Sequence, residues 1–167
     1  PISYMDQRDL LLPWLNVLAN VTLGARLRGE APDYHRAGDL LARVGLADEA
    51  NALPSALSGG MRQRAALART LMEDRAVVLM DEPFSAVDAL TRLRLQDLAA
   101  ELLIGRTTLL VTHDPLEALR LGHRILVLRG DPAHMSTPLE PAGTVPRPAD
   151  DPALHGLAAG ILRDLAA

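Results

Sequence analysis

Lysine is missing from this chain: all 17 of its Lys+Arg residues are arginine. The phosphate-binding loop Gly-x-x-x-x-Gly-Lys-Ser/Thr therefore has no place in it, because that loop sets a lysine on the phosphates. Cysteine is absent too, which excludes disulfides and thiolate metal sites. Aromatic residues make up 2% of the chain, so the core has to be built from Leu, Val, Ala, Ile and Met. No apolar run approaches the ~20 residues that a membrane-spanning helix needs, and no signal peptide is visible. A net charge of -4 gives no reason to expect nucleic-acid binding. What is present suffices for one globular domain, since 167 residues at 49% hydrophobic can bury a core and are not disordered by composition.

The most informative stretch is Val77-Val78-Leu79-Met80-Asp81-Glu82-Pro83. A short unbroken apolar run predicts a strand buried on both faces, as in a parallel sheet. Pro83 cannot donate to a ladder and helps end the strand. Two carboxylates then stand at the carboxyl edge, where open α/β sheets bind ligands. Taken alone, the stretch also fits a strand that simply ends in solvated acids.

Other segments decide between these readings. Leu57-Ser58-Gly59-Gly60-Met61-Arg62-Gln63-Arg64 precedes the strand. Ser58 is a good helix cap and Met61 to Met72 a strong helix former. Gly59 and Gly60 carry no Cβ, so a ligand can approach their backbone, and the helix start favours an anion. Ser85-Ala86-Val87-Asp88 follows the strand, with Asp88 suited to cap a helix from Ala89 to Leu103. Thr107 to Thr112 predicts a second buried strand with His113 just past its end, and Arg124 to Leu128 a third short one. Gln7 closes a strand-like start over residues 1–7. By itself Gln7 reads sooner as a solvated loop residue, and a lone His113 sooner as a structural histidine.

Between Gln7 and Met72 the pattern is helical. Pro13 is placed for a helix start, with Trp14, Val17, Leu18 and Val21 at one-face spacing. Trp14 is either ordinary core or part of a surface cluster for a membrane partner. A second amphipathic segment runs from about Tyr34 to Val44 and stops at Gly45. After Gly130, repeated prolines predict a linker-like tail with a final helix near Leu154 to Leu165.

In this order the segments resemble the ATP-binding subunits of ABC transporters, over nearly the whole chain. Leu57 to Met61 resembles the signature motif, Val77 to Glu82 the Walker B strand, and Ser85 to Asp88 the D-loop. His113 resembles the switch histidine and Gln7 the Q-loop glutamine. Val87 stands where the family usually has Leu, a mild departure. The fold implied is α/β, a P-loop NTPase-like, mostly parallel sheet with an all-helical subdomain. Residues 1–7 and 73–130 would form part of the ATPase core, 8–72 the helical subdomain and 131–167 a tail. The family's phosphate loop would lie ahead of Pro1, in a part of the domain outside this stretch, and its strand is expected to neighbour Val77 to Asp81.

The resemblance implies a set of roles. Glu82 and His113 would be catalytic, Glu82 acting on the attacking water and His113 on the γ-phosphate. Asp81 and Gln7 would hold Mg²⁺. Gln7, Ser58, Gly59, Gly60, Met61, Ser85 and Asp88 would contact ATP or run beside it, Ser58 to Met61 meeting the ATP held mainly by a second subunit. Partners would be that second ATP-binding subunit, membrane permease subunits and, indirectly, a solute-binding protein, at the cytoplasmic face of the membrane. Leu12-Pro13-Trp14 and Val145-Pro146-Arg147-Pro148 resemble importers of the nitrate, sulfonate, taurine and pyrimidine-precursor group. A soluble ABC ATPase unconnected with transport, and a non-enzymatic fragment, are the alternatives.

Overall fold

The computed structural model describes residues 2–166. The chain forms two compact units, one ending at Val111 and the other beginning at Thr112.

The first unit is built on a three-stranded parallel sheet of β1 (Ile2–Met5), β2 (Val77–Asp81) and β3 (Thr107–Val111), in that spatial order. Register runs Tyr4 to Leu79 to Leu109, and Asp81 pairs with Val111. β2 is thus the central strand. That corrects one expectation, because a further strand cannot neighbour Val77 to Asp81 when both its sides are already paired. The free sides of this sheet belong to β1 and β3. Burial on both faces is also corrected: Val78 and Met80 are buried, while Val77, Leu79 and Asp81 are half-buried. On β3, Leu109 and Val111 are exposed at 58% and 51%, so the second strand is not the buried one predicted. A continuous apolar run fixes what a strand can tolerate; its neighbours fix what is covered.

Residues 8–72 carry helices and no strand: α1 (Val17–Val21), α2 (Leu23–Leu27), α3 (Tyr34–Arg43), a 3₁₀ turn at Pro54–Ala56, and α4 (Gly59–Met72). The first helix starts at Val17, capped by the Asn16 side chain on the Ala19 N–H, and not at Pro13. Asn20 is the reason. Fully buried, it accepts from the Leu12 N–H at 2.7 Å and donates to the Leu12 and Leu15 carbonyls, which fixes residues 12–15 as a turn. Val17 and Val21 are buried as the spacing predicts, but Trp14 is 71% exposed and is not core. α3 matches its predicted span: Asp33 caps it, Ala37, Leu40 and Leu41 face inward, and Gly45 leaves at φ +68°, the left-handed backbone that glycine adopts without strain.

α4 is the spine of this unit, packing on α1, α3 and β1. Its Ala65, Ala66, Leu67, Ala68, Thr70 and Leu71 are all buried, and the small alanines let neighbours approach closely. Ser3 on β1 donates to the Thr70 carbonyl at 2.9 Å. α5 (Ala89–Leu102) follows β2, capped by Asp88.

In the second unit α6 (Pro115–Leu121) and α7 (Pro152–Ala166) pack together around Leu119, Ile125, Leu154, Ala158 and Ile161. The strand predicted from Arg124 to Leu128 is instead a bridge from Ile125 to Leu139 and a two-residue ladder of β4 (Leu128–Arg129) with β5 (His134–Met135), both antiparallel. Its partners lie in the stretch that reads as a linker. That stretch is held by Arg147, 3% exposed, which donates to the carbonyls of Leu119, Pro141, Ala142 and Gly122. Four carbonyls around one guanidinium satisfy a charge that would otherwise be costly to bury.

Candidate functional site

The predicted residues of the first unit gather at the carboxyl ends of its strands and at the start of α4. β2 ends at Asp81, half-buried. Glu82 follows with φ +49°. A glutamate in the left-handed region is strained by about 1–3 kcal/mol, and such strain collects at functional sites. The conformation is held from both sides: the Glu82 N–H donates to the Val111 carbonyl at 2.9 Å, and its carbonyl accepts from Gln63 Nε2 at 3.0 Å and Ser85 Oγ at 3.1 Å. Pro83 and Phe84, which follow it in the chain, are both buried, Phe84 being the chain's single phenylalanine. The strand therefore ends on a rigid corner, with its carboxylates at the ligand edge of the sheet.

Ser58 Oγ accepts from the Met61 N–H at 3.2 Å, so Met61's own backbone donor is committed to the cap. Ser58 and Gly59 are exposed, Gly60 and Met61 half-buried. The two glycines differ. A Cβ on Gly59 would meet nothing nearer than Arg62 Nη2 at 3.9 Å, whereas one on Gly60 would stand 3.0 Å from the Ala86 carbonyl oxygen. Gly60 is thus bare because the chain's own turn after Glu82 approaches it, and Gly59 is the glycine left open to a ligand.

Ser85 and Asp88 are exposed on that turn. Asp88 accepts from the Thr91 N–H at 3.0 Å, and this backbone bond, the largest of several, holds its carboxyl below the usual carboxylate range. Gln7 is exposed two residues beyond β1. The loop behind it is pinned by α4: Arg62 Nε bonds Asp9 Oδ2 at 3.0 Å, and Arg69 donates to the carbonyls of Asp9 and Leu10. Burial pushes the Arg69 guanidinium down, against the nearby charges of Asp9 and Glu73. On β1, the Tyr4 phenol is pushed up, by desolvation first and then by the carboxylates of Asp6 and Asp81, so it stays neutral at physiological pH.

His113 belongs to the second unit, exposed, just ahead of Asp114. Asp114 caps α6 through the N–H groups of Leu116 and Glu117, with Pro115 in its first turn, which fixes the backbone on which His113 sits.

One residue was quoted in the sequence but given no role. Gln63 is 5% exposed and spends both ends of its amide on residues 82–86. Its signal was a lone amide on a helix face otherwise built of Ala and Leu. Among the described residues no group of three or more His, Cys, Asp or Glu could hold a metal ion, and no helix is long and apolar enough to cross a membrane.

Comparison with known proteins follows this geometry. A family model described as ABC transporter matches residues 1–85. An uncharacterized ABC transporter ATP-binding protein of Haemophilus influenzae is 46% identical over 98% of this chain and 70% of its own length. The aliphatic sulfonates import ATP-binding protein SsuB of Delftia acidovorans is 48% identical over 98% of this chain and 67% of its own. A solved dimeric ATP-binding cassette, in a post-hydrolysis state bound to ADP and Pi, superposes with a TM-score of 0.76 at 32% identity, covering 86% of this chain and 64% of that one. The chain therefore spans about two thirds of the length of the proteins it resembles. The family match over residues 1–85 and these relatives show the same thing: the chain belongs to the family of ABC transporter ATP-binding subunits.

Proposed function

We propose that the complete protein binds and hydrolyses ATP as the motor subunit of an importer, working as a dimer at the cytoplasmic face of the membrane against permease subunits. The observation that carries this reading is the junction of β2 with α4. Two carboxylates stand on a strained strand end, and a capped, glycine-opened helix start lies against the turn that follows them.

Each residue then has a task. Glu82 accepts a proton from, or polarises, the attacking water, with its backbone fixed beforehand so that little reorganisation remains. Ser58 and Gly59 offer a hydroxyl, backbone N–H groups and a helix dipole to the γ-phosphate of the nucleotide held mainly by the other subunit, with Gly60 and Met61 shaping that helix start. Ser85 and Asp88 run along the subunit boundary beside it. His113 donates to the γ-phosphate, and Gln7 lies at the exit from β1 where the helical segment begins. Asp81, with Gln7, would hold Mg²⁺. The donor set suits the ion, which takes one or two carboxylates together with phosphate oxygens and water. When bound, Mg²⁺ neutralises charge developing on the β- and γ-oxygens. The phosphates' own cradle has to come from elsewhere in the complete protein, since this stretch has no lysine.

Residues 1–7 and 73–130 serve as part of the ATPase core in this reading, 8–72 as the helical subdomain that meets the permease, and 131–167 as a tail. Trp14 and Leu10, both exposed, suit that contact. The name of the Delftia relative supports an aliphatic sulfonate as the solute.

The test is Glu82→Gln in the complete protein, which keeps shape and removes the basic oxygen. ATP binding should persist while turnover falls by about 10²–10⁴-fold. Turnover within about threefold of wild type would contradict the assignment. Uptake of a labelled alkanesulfonate, abolished by the same substitution, checks the solute; unchanged uptake would reject it.

A further inference from the structure

We propose that Gln63 is the positioning residue for Glu82, locking the strand end and the turn after it to the signature helix. This rests on the role of Glu82 given above. Gln63 projects from α4 and is buried. Its Nε2 donates to the Glu82 carbonyl at 3.0 Å and lies 3.1 Å from Ser85 Oγ, and its Oε1 accepts from the Ala86 N–H at 2.6 Å. The partners fix which end of the amide is which, because a carbonyl needs a donor and an N–H an acceptor.

The bonds fall on the part of the backbone that needs holding. Glu82 is in the left-handed region, a state that persists only where its surroundings over-determine it. The Val111 carbonyl fixes the amide side of Glu82, and Gln63 and Ser85 fix the carbonyl side. If the Gln63 donor is lost, the Glu82 carbonyl keeps the Ser85 hydroxyl and N–H from its own turn but loses this bond to α4, and the peptide linking Glu82 to Pro83 can shift toward a less strained setting. The carboxylate moves with it. One turn before Gln63, Gly60 brings α4 against the Ala86 carbonyl, so helix and turn already touch and Gln63 converts that contact into a directional lock. The element that offers Ser58 and Gly59 to an anion is therefore the same element that sets the position of the Glu82 carboxylate.

The experiment is a double-mutant cycle in the complete, dimeric protein. Gln63→Met keeps the volume and removes both polar ends. At saturating MgATP it should lower kcat by about tenfold or more, since small misplacements near the chemistry can cost about 10²-fold, with KM for ATP nearly unchanged. In the Glu82→Gln background the same substitution should change the residual turnover by less than about twofold, because the carboxylate it positions is already gone. A purely structural lesion would cost the same factor in both backgrounds. If Gln63→Met does not fold, Gln63→Glu takes its place in the cycle: it keeps the acceptor for the Ala86 N–H and loses the donor to the Glu82 carbonyl. Wild-type kcat in the Gln63 variant, or an equal loss in both backgrounds, overturns the proposal. Near-normal turnover of Glu82→Gln alone would instead overturn the reading of Glu82 on which it rests.

Discussion

Gly59 and Gly60 are neighbours, yet their missing side chains serve different ends. A methyl group on Gly60 would stand 3.0 Å from a backbone carbonyl, one on Gly59 at an ordinary 3.9 Å from Arg62 Nη2. Gly60→Ala should therefore push α4 off the turn at Ala86, and overpacking of this kind costs about 1–3 kcal/mol. Gly59→Ala should leave stability equal or slightly raised, since glycine costs a helix about 0.5–1 kcal/mol relative to alanine, while impairing ATP hydrolysis by crowding the approach to the helix start. Thermal melting and steady-state turnover of the two variants in the complete protein separate the effects. Equal melting midpoints for both would mean that the Ala86 carbonyl gives way easily. From the sequence, both glycines looked open to a ligand. Whether a bare backbone meets a ligand or the chain itself depends on what folds against it, and residues 60 and 86 are brought together only by the whole unit.

The starts of α4 and α5 were legible because their caps are chemical. Ser58 and Asp88 each cap through a side-chain oxygen on an N–H three residues on, a local event that local sequence predicts; Asp33 and Asp114 cap in the same way but were not read as caps. The strands were legible in position but not in burial, since the cover on Leu109 is no property of its own segment. Arg124 to Leu128 illustrates the same limit: its partners at Met135, Ser136 and Leu139 lie across a proline-rich stretch with no periodicity of its own. Arg147 and Asn20, both buried in carbonyl nests, could not be found from pattern, because neither residue type signals burial.

At the element scale, Asp74 joins the end of α4 to two other segments. It bonds Arg106, ahead of β3, and pairs with Arg36 of α3 at 3.5 Å. The Arg106 bond, with Arg36 and Arg75 adding charge, draws its carboxyl below the usual value. A depressed folded pKa contributes stability that is present above the unfolded value and lost as pH falls through the folded one. Asp74→Asn isolates that charge, because Asn tolerates the left-handed φ of +51° as well as Asp does. The side chain is 52% exposed, so the difference at pH 7 should be about 1 kcal/mol or less. It should shrink below about pH 4, the ordinary aspartate range, and vanish in stronger acid. Denaturant melts of both forms from about pH 3 to about pH 7 read it directly; a difference independent of pH would remove the ion pairs from the account.

At the scale of the whole molecule, the proposed function would divide the chemistry of the ATP site between two subunits. Asp81 and Glu82 carry carboxylates in a stretch without a lysine-bearing phosphate loop, and Ser58 and Gly59 stand exposed at a capped helix start. Two copies facing each other would give each nucleotide the carboxylates of one subunit and the helix start of the other. The structural relative is itself dimeric. In complete-protein heterodimers, Ser58→Arg and Glu82→Gln can be placed in the same subunit or in opposite ones, and single-turnover hydrolysis counted per dimer. With the substitutions in opposite subunits both lesions fall on one nucleotide, and the account predicts a burst close to that of a single intact site. With both in the same subunit each nucleotide loses one group, and the burst should nearly disappear; the reverse order, with the same-subunit dimer the active one, would contradict the account.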